Sequence, residues 1–357
     1  MNVLFSHIAW MKQYHGPDED DLPISGSEAE AAAHRSTVFQ FSHFNHKYYG
    51  YAPVEGDMPI EELAEVGKEA PGVKDMTVVW TAVNPETQQH VIVGWYRNAV
   101  VYRKCHGLFP TPCNYRDYNT FCMAEDACLL LPEDRSFIVT PHDLQGCVWV
   151  ADAAEAAAVT AYIDGWDKPS AAPVYTDEQL TDCFPAAEGK SVAELMAMEA
   201  AAEADLDVLQ IRNAICKAEP TLAHHCNVAF VLQEMGYSAE ALAVFRQAAE
   251  LDSENLFLKA QMAECSFAAG EQREALSLYV DVLQKLETDP DSARYWGGVP
   301  LLRLKVDTIW RIYSIYWWAL GDKKTSIKYL RIIVKLAPGT PDAETARHLL
   351  SEFGYDL

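Results

Sequence analysis

The sequence predicts an α+β chain: a mixed α/β domain at the front, followed by an all-α array of helical hairpins. Three observations carry this. Gly236, Ala241 and Phe245 recur as Gly270, Ala275 and Tyr279, each 34 positions later, and a fixed period of that length marks stacked two-helix units. Upstream, residues 76–83 and 90–103 are dense in β-branched and aromatic side chains, the composition of half-buried strands. Between the two regions, residues 167–190 hold three prolines and no clear period, which marks a linker. The expected division is therefore 1–166, a linker over 167–190, and 191–357.

In order along the chain, residues 59–66 ("PIEELAEV") read as a short helix. "MTVVWTAV" and "HVIVGWYRNAVVYR" read as strands, and the turn residues of "NPETQQ" between them predict a hairpin. "CMAEDACLLLP" and "RSFIVTP" read as two further strands, each closed by a proline. "ADAAEAAAVTAYIDGW" reads as an alanine-rich helix ending the domain. Everything past residue 190 is helical in pattern.

The hairpin units have a physical logic. Gly236 and Gly270 end the first helix of a pair, where a left-handed cap favours a residue without Cβ. Ala241 and Ala275 let the two helices approach closely. Phe245 and Tyr279 fill the space between successive pairs. A third copy fits around Gly321, with Ser326, Leu330 and Ile333 at matching places and Pro338 at the turn to the next unit. It lies 51 positions after Gly270, which is one period plus a 17-residue insertion that includes "ETDPDSARYWGGVP". "DVLQIRNAICKAEP" reads as a preceding half-unit and "PDAETARHLLSEF" as a capping helix.

This pattern resembles the tetratricopeptide repeat, whose first helices line a concave groove for a protein or peptide partner. Carried over by position, the groove residues are Cys226, Phe230 and Gln233, then Ala260, Glu264 and Phe267, then Arg311, Ile315 and Trp318. Members of that family that clamp a carboxylate terminus use Lys and Asn at such places. Cys226 and Phe230 stand here instead, so the resemblance implies an apolar or aromatic-anchored peptide, with Arg311 as an anion contact. A competing reading of "IWRIYSIYWWAL" is that a helix aromatic on all sides is buried, or is covered by the chain's own insertion.

In the front half, "VVWTAVNPETQQHVIVGWYRNAVVYR", "WMKQYHG", "FNHKYYGY" and "CMAEDACLLLPEDRSF" together resemble an uncharacterised bacterial domain associated with interaction repeats or nuclease modules. The likeness spans about residues 5–150 and departs after Pro141. It implies a bacterial source and names no activity. The aromatic strands are also similar to small β-barrel domains of the PUA, EVE and YTH type, which hold a modified or flipped base in an aromatic pocket. That likeness implies a pocket of Trp80, Trp95, Tyr96, Arg97, Tyr102 and Arg103, reading a nucleotide or modified nucleic acid. Between Thr87 and Ala124, four basic residues stand against Asp117 alone, a local excess of +3. Against it, residues 1–170 carry 11 basic and 24 acidic groups, and such a balance repels long duplexes. Aromatics on strands are also ordinary core.

The net charge of −24 over 357 residues argues against a nucleic-acid coat or a binder of anionic membranes. No run of ~18 apolar residues occurs, so no membrane partner is expected. The first residues lack a basic start followed by a long apolar run, so no signal peptide is expected either. Nine scattered cysteines fit reduced thiols in a cytoplasm. The common nucleotide, zincin and hydrolase signatures are absent, and no catalytic pair is identifiable. Cys105, His106, Cys113, Cys122, Cys128, His142 and Cys147 lack the paired spacing of a zinc site. His224, His225 and Cys226 read as packing residues, and the acidic run 18–21 as a solvated loop. No cofactor or metal is expected. The sequence thus favours non-catalytic recognition of a protein or peptide, with the nucleotide reader as its alternative.

Overall fold

The computed structural model describes residues 2–24, 37–140 and 147–355. The chain forms two compact units, the first comprising residues 1–108 and 116–175, the second residues 109–115 and 176–357.

The first unit is built on an eight-stranded sheet. Its strands are β1 (Val3–His7), β2 (His43–Phe44), β3 (Lys47–Gly50), β4 (Gly72–Val83), β5 (His90–Thr111), β6 (Asn114–Met123), β7 (Ala127–Leu129) and β8 (Val148–Val150). A short helix α1 (Ile60–Leu63) precedes β4, and α2 (Ala153–Asp164) follows β8. The strand order is β2-β3-β6-β5-β4-β1-β8, with β7 added to β5. β4 and β5 form the expected hairpin, with Val83 opposite His90. β1 lies parallel to β4, whereas β8 runs antiparallel to β1.

Both faces of the sheet are buried. Leu4, Val78, Trp80 and Tyr96 pack into one core; Phe5, Val79, Trp95 and Trp149 pack into the other, under Val159 and Ile163 of α2. Alternation sends neighbours such as Trp95 and Tyr96 to opposite sides. Cover on both sides explains why β4 and β5 read as near-continuous apolar runs. Helix α2 starts on a capping box in which Asp152 and Glu155 exchange bonds with each other's backbone.

Two expectations are corrected here. The sheet is open: its end strands β2 and β8, only two and three residues long, do not pair with one another among the described residues. The β-barrel of the PUA-like likeness needs those edges to close. The described part of the segment, 135–140, forms one isolated bridge, Val91 to Ile138, rather than a strand. Arg135 explains this, because its buried guanidinium donates to the carbonyls of Leu130, Met11 and Lys12 and ties the chain down as a loop.

The stretch read as a linker is folded. Ala171 N–H donates to the Leu129 carbonyl at 2.8 Å, and Ala172 is buried in the first unit. The remainder forms α3 (Asp177–Thr181) in the second unit, with Leu180 buried.

The second unit is an antiparallel helical array: α4 (Val192–Glu199), α5 (Asp205–Ala218), α6 (Leu222–Glu234), α7 (Ser238–Leu251), α8 (Leu256–Ala268), α9 (Gln272–Thr288), α10 (Leu301–Ser314), α11 (Lys323–Leu336) and α12 (Pro341–Glu352). Three hairpins, α6–α7, α8–α9 and α10–α11, carry the order of tetratricopeptide-like units. Gly236, Gly270 and Gly321 have φ of 83°, 86° and 66°, the left-handed region that ends a helix cheaply only at glycine. Ala241, Ala275 and Ser326, each in the first turns of its hairpin's second helix, are wholly buried. The insertion forms a 3-10 turn over Pro290–Trp296 and packs near Leu256, Val282 and Leu304. A π turn over Ile315–Ala319 extends α10. No helix among the described residues is long and apolar enough to cross a membrane.

Gly94 provides a test of the sheet's close packing. A Cβ there would meet the Cys128 carbonyl oxygen at 2.5 Å, and backbone cannot yield as a side-chain tip does. Gly94→Ala is expected to destabilise the protein by about 1–3 kcal/mol, read as a lowered urea midpoint with an unchanged slope.

Candidate interaction face of the helical array

Five of the residues assigned to the groove by position gather around one feature of the second unit, the segment Phe109–Tyr115. This segment comprises the end of β5, the two-residue turn after it and the start of β6. Its Phe109 and Tyr115 rings lie 5.7 and 6.0 Å from the Trp318 ring and 5.2 Å from each other. Phe109 also packs beside Phe267 and Ile315, both buried. The Cys113 thiol, pushed up by burial, lies beside Arg311 and Glu264 and hydrogen-bonds Ser314.

The backbone geometry aims these groups. The π turn inserts an extra residue after α10, so Ile315 points into the core while Trp318 stays 55% exposed. Such turns re-direct side chains. Trp318 is therefore neither core nor covered by the 17-residue insertion; the rings that cover it in part come from 109–115.

Arg311 does not offer a free cation. Its Nε donates to Glu264 at 3.1 Å and its Nη1 to the Asp307 carbonyl at 3.3 Å. Tyr279 donates its hydroxyl to the same Glu264 carboxylate. Burial alone would lower the Arg311 pKa, but the oxygens of Glu264 and Tyr279 more than reverse this and hold it above its ordinary value. Arg311, expected as an anion contact, has its charge matched by Glu264 within the array. The signal available in the sequence was Glu264, an acid among the groove positions of the preceding unit.

The first hairpin is arranged differently. Phe230 is half-buried against Phe245 and Phe257, at 5.4 and 6.1 Å between centroids. Gln233 hydrogen-bonds the Cys265 thiol. Cys226 and Ala260 are half-buried. On another flank of this unit, a largely apolar hollow of about 820 Å³ is lined by Leu180, Cys216, Val228, Leu232 and Val244. Its residues come from four helices, so no single motif announced it.

The six residues assigned to a nucleotide pocket do not share one cavity. Trp80 and Tyr96 are completely buried and meet edge-to-face at 5.2 Å. Trp95 faces the other side, against Tyr162 and Trp166. Arg97, two residues on and hence on Trp95's side, pairs with Asp164; both border a shallow hollow of about 670 Å³. Tyr102 stacks on Phe121. Arg103 pairs with Glu61 at 2.9 Å and donates to the Ala70 carbonyl.

Other groups singled out by the sequence have local bonds. Asp21 accepts from the Lys12 and Gln13 amides at 2.6 and 2.8 Å, and Asp18 caps the amides of Asp20 and Asp21, so the acidic run 18–21 is an ordered turn. His224 and His225 use Nδ1 on the carbonyls of Glu219 and Thr221. Cys122 and Cys128 are buried, Cys105 and Cys113 lie in different units, and His142 lies outside the described residues.

No protein-family model matches the chain, and no curated protein matches it in sequence. Solved structures with similarity include MamA, at 15% identity and a TM-score of 0.32 over 42% of this chain and 78% of that one. A MamA RS-1 ArsTM double mutant gives 10% and 0.36, over 46% and 86%. YrrB, described as a TPR protein with an unusual peptide-binding site, gives 18% and 0.32, over 44% and 71%.

Two outcomes follow from the bonds above. Arg311→Met and Glu264→Gln are each expected to lower stability by about 1.5–3 kcal/mol, the scale of charge-assisted bonds, with a double mutant well short of the sum in urea unfolding. Burial, with Asp117 beside it, pushes Cys105 up to about 11, and burial takes Cys265 to about 12. At pH 8 a thiol reagent should label Cys105 on the order of a hundredfold more slowly than in the urea-unfolded chain.

Proposed function

We propose that this protein is a non-catalytic recognition module whose helical array binds a protein or peptide partner bearing aromatic anchors. One observation carries the reading: the face formed by α8, α10 and the π turn holds a short chain segment, 109–115, through two aromatic rings laid on Trp318. A rigid helical face that accommodates one such segment supplies what an aromatic-anchored peptide requires: a ring platform and apolar positions such as Phe267 and Ile315 beside it. Aromatic side chains suit this role because they cover large area with few rotatable bonds. The half-buried Phe230 and Gln233 of the first hairpin extend the face toward a partner. The cytoplasm is the compartment this reading implies, in keeping with free thiols throughout.

The dispersal of Trp80, Trp95, Tyr96 and Tyr102 over separate packing clusters weighs against the nucleotide reader, because stacking on a base needs convergent rings.

Selection from a displayed random-peptide library tests the proposal. Recovered peptides should be enriched in Phe, Tyr or Trp. Phe109→Ala/Tyr115→Ala, which clears Trp318, should strengthen their binding about tenfold or more, and Trp318→Ala should weaken it by a similar factor. Peptides without aromatic preference, or binding indifferent to Trp318, would refute it.

A further inference from the structure

The second unit is electrically polarised along its length. Residues 176–207, which open the array, contain nine acidic groups and one lysine. Near the other end, α11 contains five basic residues and no acid. Lys324, Lys328, Arg331 and Lys335 follow the spacing 4, 3, 4, which aligns them on one face of the helix. All four are exposed, and at 1.5 Å per residue the stripe is about 16 Å long. Ile332, 40% exposed, borders it. The acidic end has a matching composition. On α4, Met196 is 54% exposed beside exposed alanines at 193, 197 and 200, and the exposed Glu188, Glu194 and Glu203 lie within eight residues of it in the chain.

From these two surfaces we infer that copies of this chain associate head to tail, the basic stripe of α11 in one copy seating on the acidic α4 end of the next. Each surface offers an exposed apolar residue on a segment dominated by charge of one sign, and the signs are opposite. That is the pattern of an interface with an apolar centre and a charged rim. The occupant is a second copy because the chain itself carries the complementary face. The overall charge of −24 opposes approach at long range, but beyond about 8 Å it is screened at physiological ionic strength. The contact is then decided by the groups that meet. Because the two surfaces differ, the contact is heterologous and propagates into an open series rather than stopping at a two-fold dimer. This inference is independent of the peptide-binding face.

Sedimentation velocity over a concentration series tests it with the full chain and two variants. Lys324→Gln/Lys328→Gln/Lys335→Gln removes the basic end, and Glu188→Gln/Met196→Gln/Glu203→Gln removes the acidic end. The unaltered chain should form an open series of species that shrinks between 0.15 and 1 M salt. Each variant alone should associate about tenfold or more weakly. An equimolar mixture should form heterodimers and nothing larger, since one intact end remains on each partner; this also shows that both variants are folded. A monomeric unaltered chain overturns the inference, even if α11 captures an acidic peptide or nucleic acid. So does a mixture that behaves like either variant alone.

Discussion

Close approach of paired helices at Ala241, Ala275 and Ser326 is the constraint on which the array depends. Each side chain is fully buried in the first turns of the second helix of its hairpin. A larger residue would push the axes beyond the 8–10 Å at which ridges and grooves interlock. With that spacing fixed, Phe245, Tyr279 and Leu330 fill the gaps between successive hairpins, all of them at or near zero exposure. The first helices are then held parallel and rigid, and their outward residues become a surface rather than a set of independent side chains.

On that surface, charge and apolar contact are handled separately. Glu264 gathers Arg311 and the Tyr279 hydroxyl into one bonded group, so the charge that faces 109–115 is internally balanced. An unpaired buried charge would cost several kcal/mol. Trp318 is left as the dominant exposed feature, aimed by the π turn. Burial raises the Cys265 thiol, and with no exposed surface it is an inert packing group rather than a nucleophile.

The local parts of the fold were legible from residues alone. The turn glycines, the small crossing residues and the 34-residue spacing each express one unit's internal geometry, and the β4–β5 hairpin is announced by two apolar runs around "NPETQQ". What could not be read depends on distant partners. Whether the sheet closes is decided by β2, β8 and the parallel β1–β4 pairing, none of which follows from alternation. That Trp95 and Tyr96 oppose each other was evident from strand geometry, but that both sides are covered depends on α2 and on Phe41 and Tyr48 packing against Tyr96. Prolines at 169 and 173 looked like linker punctuation, yet Ala171 and Ser170 hydrogen-bond Leu129. The groove positions came from resemblance; the segment lying on them has no periodic signature.

The Phe109–Tyr115 loop is covalently part of the chain whose helices it touches, which changes the competition any visitor faces. A tethered group meets its cradle at an effective concentration on the order of millimolar. An untethered peptide present at micromolar levels would need roughly a thousandfold intrinsic advantage to displace it. Occupancy by outsiders is thereby thresholded: weak, abundant aromatic segments are turned away without any dedicated filter, and only a tight ligand takes the seat.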